Sequence, residues 1–219
     1  MGFLMADIKD RRPLASRQSG WAAYLTRRLA ATSVTPNQIS MASIVAAAVA
    51  GSAFWASGHS DGAVRFSMLI AAALFCQLRL VCNLLDGMVA IEARKSAQDG
   101  PFWNEFPDRV ADMLILVGAG LGIGNPTLGW AAAALAVLTA YVREHGRACG
   151  ASADYCGPMA KQHRMAVMTL AAILAAFEQV WHANGFVLVM GLWIVTIGSA
   201  ITVLRRAIRL VTFLRTVVR

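Results

Sequence analysis

Two short stretches carry the residues whose types and spacing could do chemistry. The first holds Asn83, Asp86, Gly87 and Ala90; the second holds Glu105, Asp108 and Asp112. On a helix the first set falls at i, i+3, i+4 and i+7, and the second at i, i+3 and i+7, so each set lines one face. The connection between them is short, which predicts neighbouring helices and converging polar faces. Carboxylates in an apolar setting cost several kcal/mol and mark a function. Several together without matching bases stay ionised only if a cation joins them. Oxygen-only donors select hard ions, Mg²⁺ or Mn²⁺, over zinc. Gly87 and Ala90 add no bulk beside Asp86, which lets a large ligand approach the backbone. A divalent ion beside basic residues points to a phosphate-containing substrate, whose charge the ion would screen during displacement at phosphorus.

The elements that position these residues are apolar. Of 219 residues, 58% are hydrophobic and only 15% charged, and mean hydropathy is +0.56. That charge content lies below the roughly 25% of a soluble domain, which argues against soluble, disordered and collagen-like classes. A bilayer-spanning helix takes about 20 mostly apolar residues, so the expected fold class is all-α integral membrane. The reading is six transmembrane helices preceded by an amphipathic surface helix. Residues 1–33 are expected to form a cytoplasmic leader and juxtamembrane helix, and residues 34–219 a six-helix catalytic domain.

Residues 1–16 read as a solvated leader, and the charged start argues against a cleaved signal peptide. Over residues 17–31, Trp21, Leu25 and Leu29 recur at helical spacing among Arg17, Arg27 and Arg28, the pattern of a helix lying on a membrane surface. A plain juxtamembrane linker is the alternative. The first span opens with Thr35 as N-cap, Pro36 at the first helical position and Gln38 completing a capping box. It runs to about Ser57. The second span covers Val64 to Glu92, and the third Asn104 to the Gly122–Gly124 region. The fourth runs from the Asn125-Pro126 turn to Arg147, the fifth from Arg164 to Trp181, and the sixth from Gly185 into a basic tail. Gly118, Gly120, Gly122 and Gly124 read as close helix packing. No strand precedes this tract, so it is not a phosphate loop.

Alternating spans permit a charge test. The net charge is +8. With Arg79 and Arg109 assigned to the side of the termini, 19 of the 20 Lys and Arg residues share that side, leaving Arg65 alone on the other. The positive-inside rule then places both termini and the acidic cluster in the cytoplasm, in a multi-pass cell (inner) membrane protein. Basic residues that flank apolar runs point to the membrane surface and phosphate-bearing substrates rather than nucleic acid. Cys76, Cys82, Cys149 and Cys156 form no C-x-x-C pair and read as free thiols. The loop after the fourth span carries Arg143, His145, Arg147, Lys161, His163 and Arg164. Anchoring by positive charge accounts for part of this.

At the acidic cluster the chain resembles the CDP-alcohol phosphotransferase (CDP-alcohol phosphatidyltransferase) family of membrane enzymes. The family pattern is D-x-x-D-G-x-x-A-R, a short spacer, then G-x-x-x-D-x-x-x-D. Here the first part reads Asn83-Leu-Leu-Asp86-Gly87-Met-Val-Ala90-Ile91, and after twelve residues the second reads Asn104-Glu-Phe-Pro-Asp108-Arg-Val-Ala-Asp112. Thr35-Pro36-Asn37 before the first span belongs to the same likeness. Three positions depart: Asn83 stands for the first Asp, Ile91 for the Arg, and Asn104 for the second Gly. Ala93-Arg94 resembles the missing Ala-Arg pair displaced by about one helical turn. The departures read as a variant site.

The resemblance implies transfer of a phosphatidyl group from CDP-diacylglycerol to a small, possibly phosphorylated alcohol, with release of CMP. It implies two divalent ions, Mg²⁺ or Mn²⁺, and a homodimer in the lipid bilayer. By position, Asp86, Asp108 and Asp112 would ligate metal, with Asp108 and Asp112 in the catalytic machinery and Asp112 as general base. Asn83 would offer a neutral amide oxygen, and Glu105 would restore the missing charge. Asn83, Gly87, Ala90 and Arg94 would face the donor nucleotide. Lys161, Arg164, Arg109, Arg143 and Arg147 would face donor or acceptor phosphate. Two other classes compete: a small cation transporter using the carboxylates, and an inactive relative that binds CDP-lipid. An ion path needs polar residues toward the far side, and residues 113–124 offer none.

Overall fold

The computed structural model describes residues 19–93, 98–178 and 185–217. All its regular elements among these residues are α-helices: α1 Gly20–Ala30, α2 Pro36–Ser57, α3 Gly62–Glu92, α4 Gly100–Gly122, α5 Pro126–Ala148, α6 Lys161–Ala176 and α7 Phe186–Val217. The leader before residue 19 and Arg94 lie outside the described residues.

Local chemistry sets several helix starts. The Thr35 hydroxyl accepts from the Gln38 amide at 3.2 Å, and the Gln38 side chain accepts from the Thr35 amide at 3.0 Å, so the capping box expected there is formed. Asn125 does the same work for α5, its side-chain oxygen accepting from the Leu128 amide at 3.0 Å. At the same end of the bundle as Asn125, Glu178 accepts from the Val187 amide at 2.6 Å and the Gly185 amide at 3.0 Å, and pairs with Arg65 at 3.0 Å. Arg65, the one Lys or Arg among the described residues at that end, is thus neutralised at the start of α7.

The six long helices close into a ring. α2 packs on α3, α3 on α6, α6 on α7, α7 on α5, α5 on α4, and α4 back on α2. α3 and α4 touch each other only sparingly because α2 lies against both. Inside the ring Phe54, Leu69, Ile115, Leu116, Met168 and Leu192 form a buried apolar core. Outside it, Val45, Leu74, Leu170, Ile197, Leu204 and Ile208 are exposed, as expected of a bundle surrounded by lipid.

The glycines in α4 let backbones touch. A Cβ at Gly118 would meet the Gly51 backbone, and one at Gly122 would meet the Phe54 backbone. Gly120 faces Gly129 in the same way. This is the close packing that small residues allow between membrane helices.

Among the described residues three helices, α2, α3 and α7, are long and apolar enough to cross a membrane. The six spans read from the sequence exceed that number. α4 opens on its acidic cluster, and α6 has only 16 residues, short of the roughly 20 that a full hydrocarbon crossing takes. α1 buries Ala22 and Thr26 against the bundle and exposes Trp21, Tyr24 and Leu25, so it is two-faced as its sequence pattern requires.

Candidate active site

The acidic residues of α3 and α4 are held by side chains from α3 itself and from two other helices, α2 and α6. Asp86 on α3 is buried, its carboxylate accepting from the Ser40 hydroxyl of α2 at 2.7 Å and from the Gly87 amide at 2.6 Å. Asp108 and Asp112 lie one helical turn apart on α4, and both are buried. Arg79, from α3, is fully buried between them. Its Nη2 donates to Asp108 Oδ1 at 3.1 Å, to the Asp108 carbonyl at 3.3 Å and to Asp112 Oδ1 at 3.1 Å. The second oxygen of Asp112 accepts from Arg164 Nη2 at 2.6 Å, and the second oxygen of Asp108 accepts from Lys161 Nζ. Lys161 also donates to the side-chain oxygen of Asn83. One ammonium therefore ties the two motif stretches together.

The loop before α6 aims these two cations. Gly157 has φ +109°, and the Thr202 side chain fills the space a Cβ would need. Only glycine suits that conformation without strain. The next residues are pinned by the Met159 amide donating to Thr202 Oγ1 at 3.0 Å. Arg164 is held further by Met159 carbonyl at 3.1 Å and Thr139 Oγ1 at 3.3 Å. Arg206 of α7, also buried, donates to the Thr139 carbonyl at 2.6 Å and the Cys156 carbonyl at 3.0 Å. The polar network thus runs around the ring from α3 to α7.

Asp108 and Asp112 pair with Arg79, Lys161 and Arg164, while the Asp86 carboxylate is held by Ser40 and the Gly87 amide, so the region holds as many cations as carboxylates. This corrects the expectation that the carboxylates lack matching bases. Arg79 entered the sequence reading only as one positive charge among twenty. The signal was there: Arg79, Asn83, Asp86 and Ala90 fall at i, i+4, i+7 and i+11, on one helix face. Ser40 had no comparable signal, since a serine in an apolar helix commonly bonds its own backbone.

Glu105 lies apart from this network. It pairs with Arg109 one turn along α4 and with Arg143 of α5 at 2.6 Å. Arg143 also pairs with Glu144 at 2.8 Å and lies over the Tyr155 ring, and Arg147 pairs with Glu144 at 3.3 Å. Three of the five predicted phosphate-facing residues, Arg109, Arg143 and Arg147, therefore form a second, more open cluster around Glu105 and Glu144. Lys161 and Arg164 belong to the first. Gly87 and Ala90 are half-buried on α3 beside Asp86. In the loop, burial pushes the Cys156 thiol above its ordinary value and the neighbouring Asp154 carboxylate adds to the effect, which keeps that thiol protonated and unreactive. The four cysteines are free.

Among the described residues no three His, Cys, Asp or Glu side chains stand close enough to form a metal cage. The donor chemistry nevertheless suits a hard ion. Asn83, Asp86 and Asp108 offer oxygen atoms only, and the Lys161 ammonium is a cation already seated between Asn83 and Asp108.

No protein-family model matches the sequence, and no curated protein matches it. Solved structures do. The chain is similar to the Mycobacterium tuberculosis phosphatidylinositol phosphate synthase in three crystal structures. With CDP-DAG bound, the match has 18% identity and a TM-score of 0.72, covering 86% of this chain and 92% of that one. In complex with manganese and citrate, it has 19% identity and a TM-score of 0.73, covering 87% and 89%. The apo form gives 18% identity and a TM-score of 0.67, covering 84% and 92%. At these identities the likeness establishes that the chain has the fold of that synthase over most of both chains.

Proposed function

We propose that this chain is an integral membrane transferase that moves a phosphatidyl group from CDP-diacylglycerol to an alcohol and releases CMP. The observation that carries the reading is the joining of Asp108 and Asp112, in the variant family pattern, in one buried network that Lys161 ties to Asn83, with Asp86 buried one turn further along α3. The fold shared with a synthase crystallised with CDP-DAG, and with manganese and citrate, supports it. The six long helices are all proposed to cross the inner membrane. Both termini and the site then face the cytoplasm, and the enzyme acts as a homodimer.

A divalent ion, held by Asn83, Asp86 and Asp108, would supply charge stabilisation at the donor pyrophosphate. The chain's own residues do the rest. Ser40 and the Gly87 amide fix the Asp86 carboxylate. Asp112 would accept the proton of the incoming hydroxyl as general base. Arg79 and Arg164 hold that carboxylate in place. Gly87 and Ala90 leave room beside Asp86 for the nucleotide. The cation-transport reading is disfavoured by the apolar core of Phe54, Leu69, Ile115 and Met168. It separates the carboxylates from the Arg65–Glu178 pair at the other end of the bundle.

The experiment is turnover by the purified protein with labelled CDP-diacylglycerol, Mg²⁺ or Mn²⁺, and a panel of free and phosphorylated alcohols. CMP release that depends on one acceptor, stops with EDTA and returns with either ion is the expected result. No CMP release with any acceptor would refute the reading. Orientation is read separately: a cysteine replacing Ala97 should be labelled from the cytoplasmic side and one replacing Ser60 from the other, in a background without native cysteines. Reversed labelling would put the site on the wrong side for a cytoplasmic nucleotide.

A further inference from the structure

We propose that Arg79 takes the place of a second metal ion, so that this chain binds a single divalent ion, at Asn83, Asp86 and Asp108. The inference rests on the transferase reading and departs from the two ions that the family likeness implies.

The geometry around Arg79 is that of a bridging point charge. One nitrogen, Nη2, meets three oxygens of Asp108 and Asp112 at 3.1–3.3 Å. Arginine held for structure alone favours a two-pronged grip on one carboxylate. Here the other two nitrogens, Nε and Nη1, are buried without a hydrogen-bond partner among the described residues. Leaving buried donors unmet costs free energy, so the pose is dominated by charge delivered between two aspartates. A metal ion between Asp108 Oδ1 and Asp112 Oδ1 would occupy that same position, and the second oxygen of each aspartate is already taken by Lys161 or Arg164.

The charges point the same way. Asn83 is neutral where the family pattern has a carboxylate. Asp108 and Asp112 already pair with three cations, Arg79, Lys161 and Arg164, and Asp86 is the one further carboxylate beside them on α3. Two divalent ions would add four positive charges to a balanced cluster, and an apolar bundle does not screen such an excess. A single ion that displaces the Lys161 ammonium from Asn83 and Asp108 is accommodated with far less imbalance. The guanidinium of Arg79 cannot be displaced so readily: it is fully buried, always charged and anchored within α3.

The test counts ions without relying on turnover. The purified full chain in detergent is dialysed against Mn²⁺ and examined by electron paramagnetic resonance. The expected result is one Mn²⁺ per chain with the spectrum of an isolated ion. The Arg79→Met/Asn83→Asp double variant should bind two, exchange-coupled as in a pair about 3.5–4 Å apart. Asn83→Asp alone keeps Arg79 and should stay at one, which keeps the proposal testable if the double variant fails to fold. Two coupled ions in the unmodified chain or in Asn83→Asp would overturn the proposal. So would no bound ion in the unmodified chain, or a folded double variant that remains at one. CMP release measured on the same sample separates the two ideas. Two ions with CMP release sink only the role of Arg79. One ion without CMP release for any acceptor supports the ion count and sinks the transferase reading.

Discussion

Asp112→Asn and Asp108→Asn each lower CMP release from CDP-diacylglycerol by about 10²- to 10⁴-fold, the range that a lost general acid or base costs. Each variant keeps the side-chain shape and leaves the protein able to insert and purify. The expectation follows from position: both carboxylates are buried, and both share the Arg79 guanidinium. Neither faces bulk water, so a water molecule does not readily substitute for the missing oxygen. Asp108→Asn should also weaken the response to Mg²⁺ or Mn²⁺. Turnover at the unmodified level in either variant would remove the carboxylate mechanism.

The second large effect is expected at Arg164, and it acts on stability as well as on rate. Arg164 is buried and donates to Asp112 at 2.6 Å. Arg164→Met leaves an aspartate oxygen inside the bundle with no donor, and strips partners from Thr139 and the Met159 carbonyl. Removing one member of a buried pair costs about 3–5 kcal/mol. For a chain of this size that is on the order of 10 °C in melting temperature. Adding Asp112→Asn to Arg164→Met removes the orphaned charge, so the double variant should regain part of the stability and none of the activity. A single variant that melts like the unmodified protein would show that the pair does not hold in the folded chain.

Much of the scaffold was legible in the sequence because its signals are local. Thr35, Pro36 and Gln38 lie within one turn of each other, and so announce the start of α2 without help from the rest of the fold. Asn125-Pro126 does the same for α5. Gly118 and Gly122 told of close packing, but their partners Gly51 and Phe54 could not be named, because helix pairing depends on the whole ring. The helix faces of Asp86, Asp108 and Asp112 were readable from spacing alone. Their counter-charges were not, since Lys161 and Arg164 come from a helix about fifty residues further along. Arg79 was within reach of the same spacing argument that found Asn83 and Asp86. A lone arginine in a basic, membrane-bound chain, however, reads first as an orienting charge. Glu105 illustrates the reverse: its face was right, but Arg109 and Arg143 claim its carboxylate.

The most direct test of the account follows both halves of the donor in one reaction. Purified protein, CDP-diacylglycerol and the acceptor found in the panel are incubated with Mg²⁺ or Mn²⁺, and the lipid and aqueous products are weighed by mass spectrometry. Phosphatidyl transfer predicts CMP and a new lipid in equal amounts, the lipid having the mass of the phosphatidyl group joined to the alcohol. Phosphatidic acid with CMP in the absence of any alcohol-bearing lipid would contradict transfer and leave hydrolysis. Recovery of the donor intact, with divalent-cation flux through the protein in sealed vesicles, would contradict the enzyme altogether.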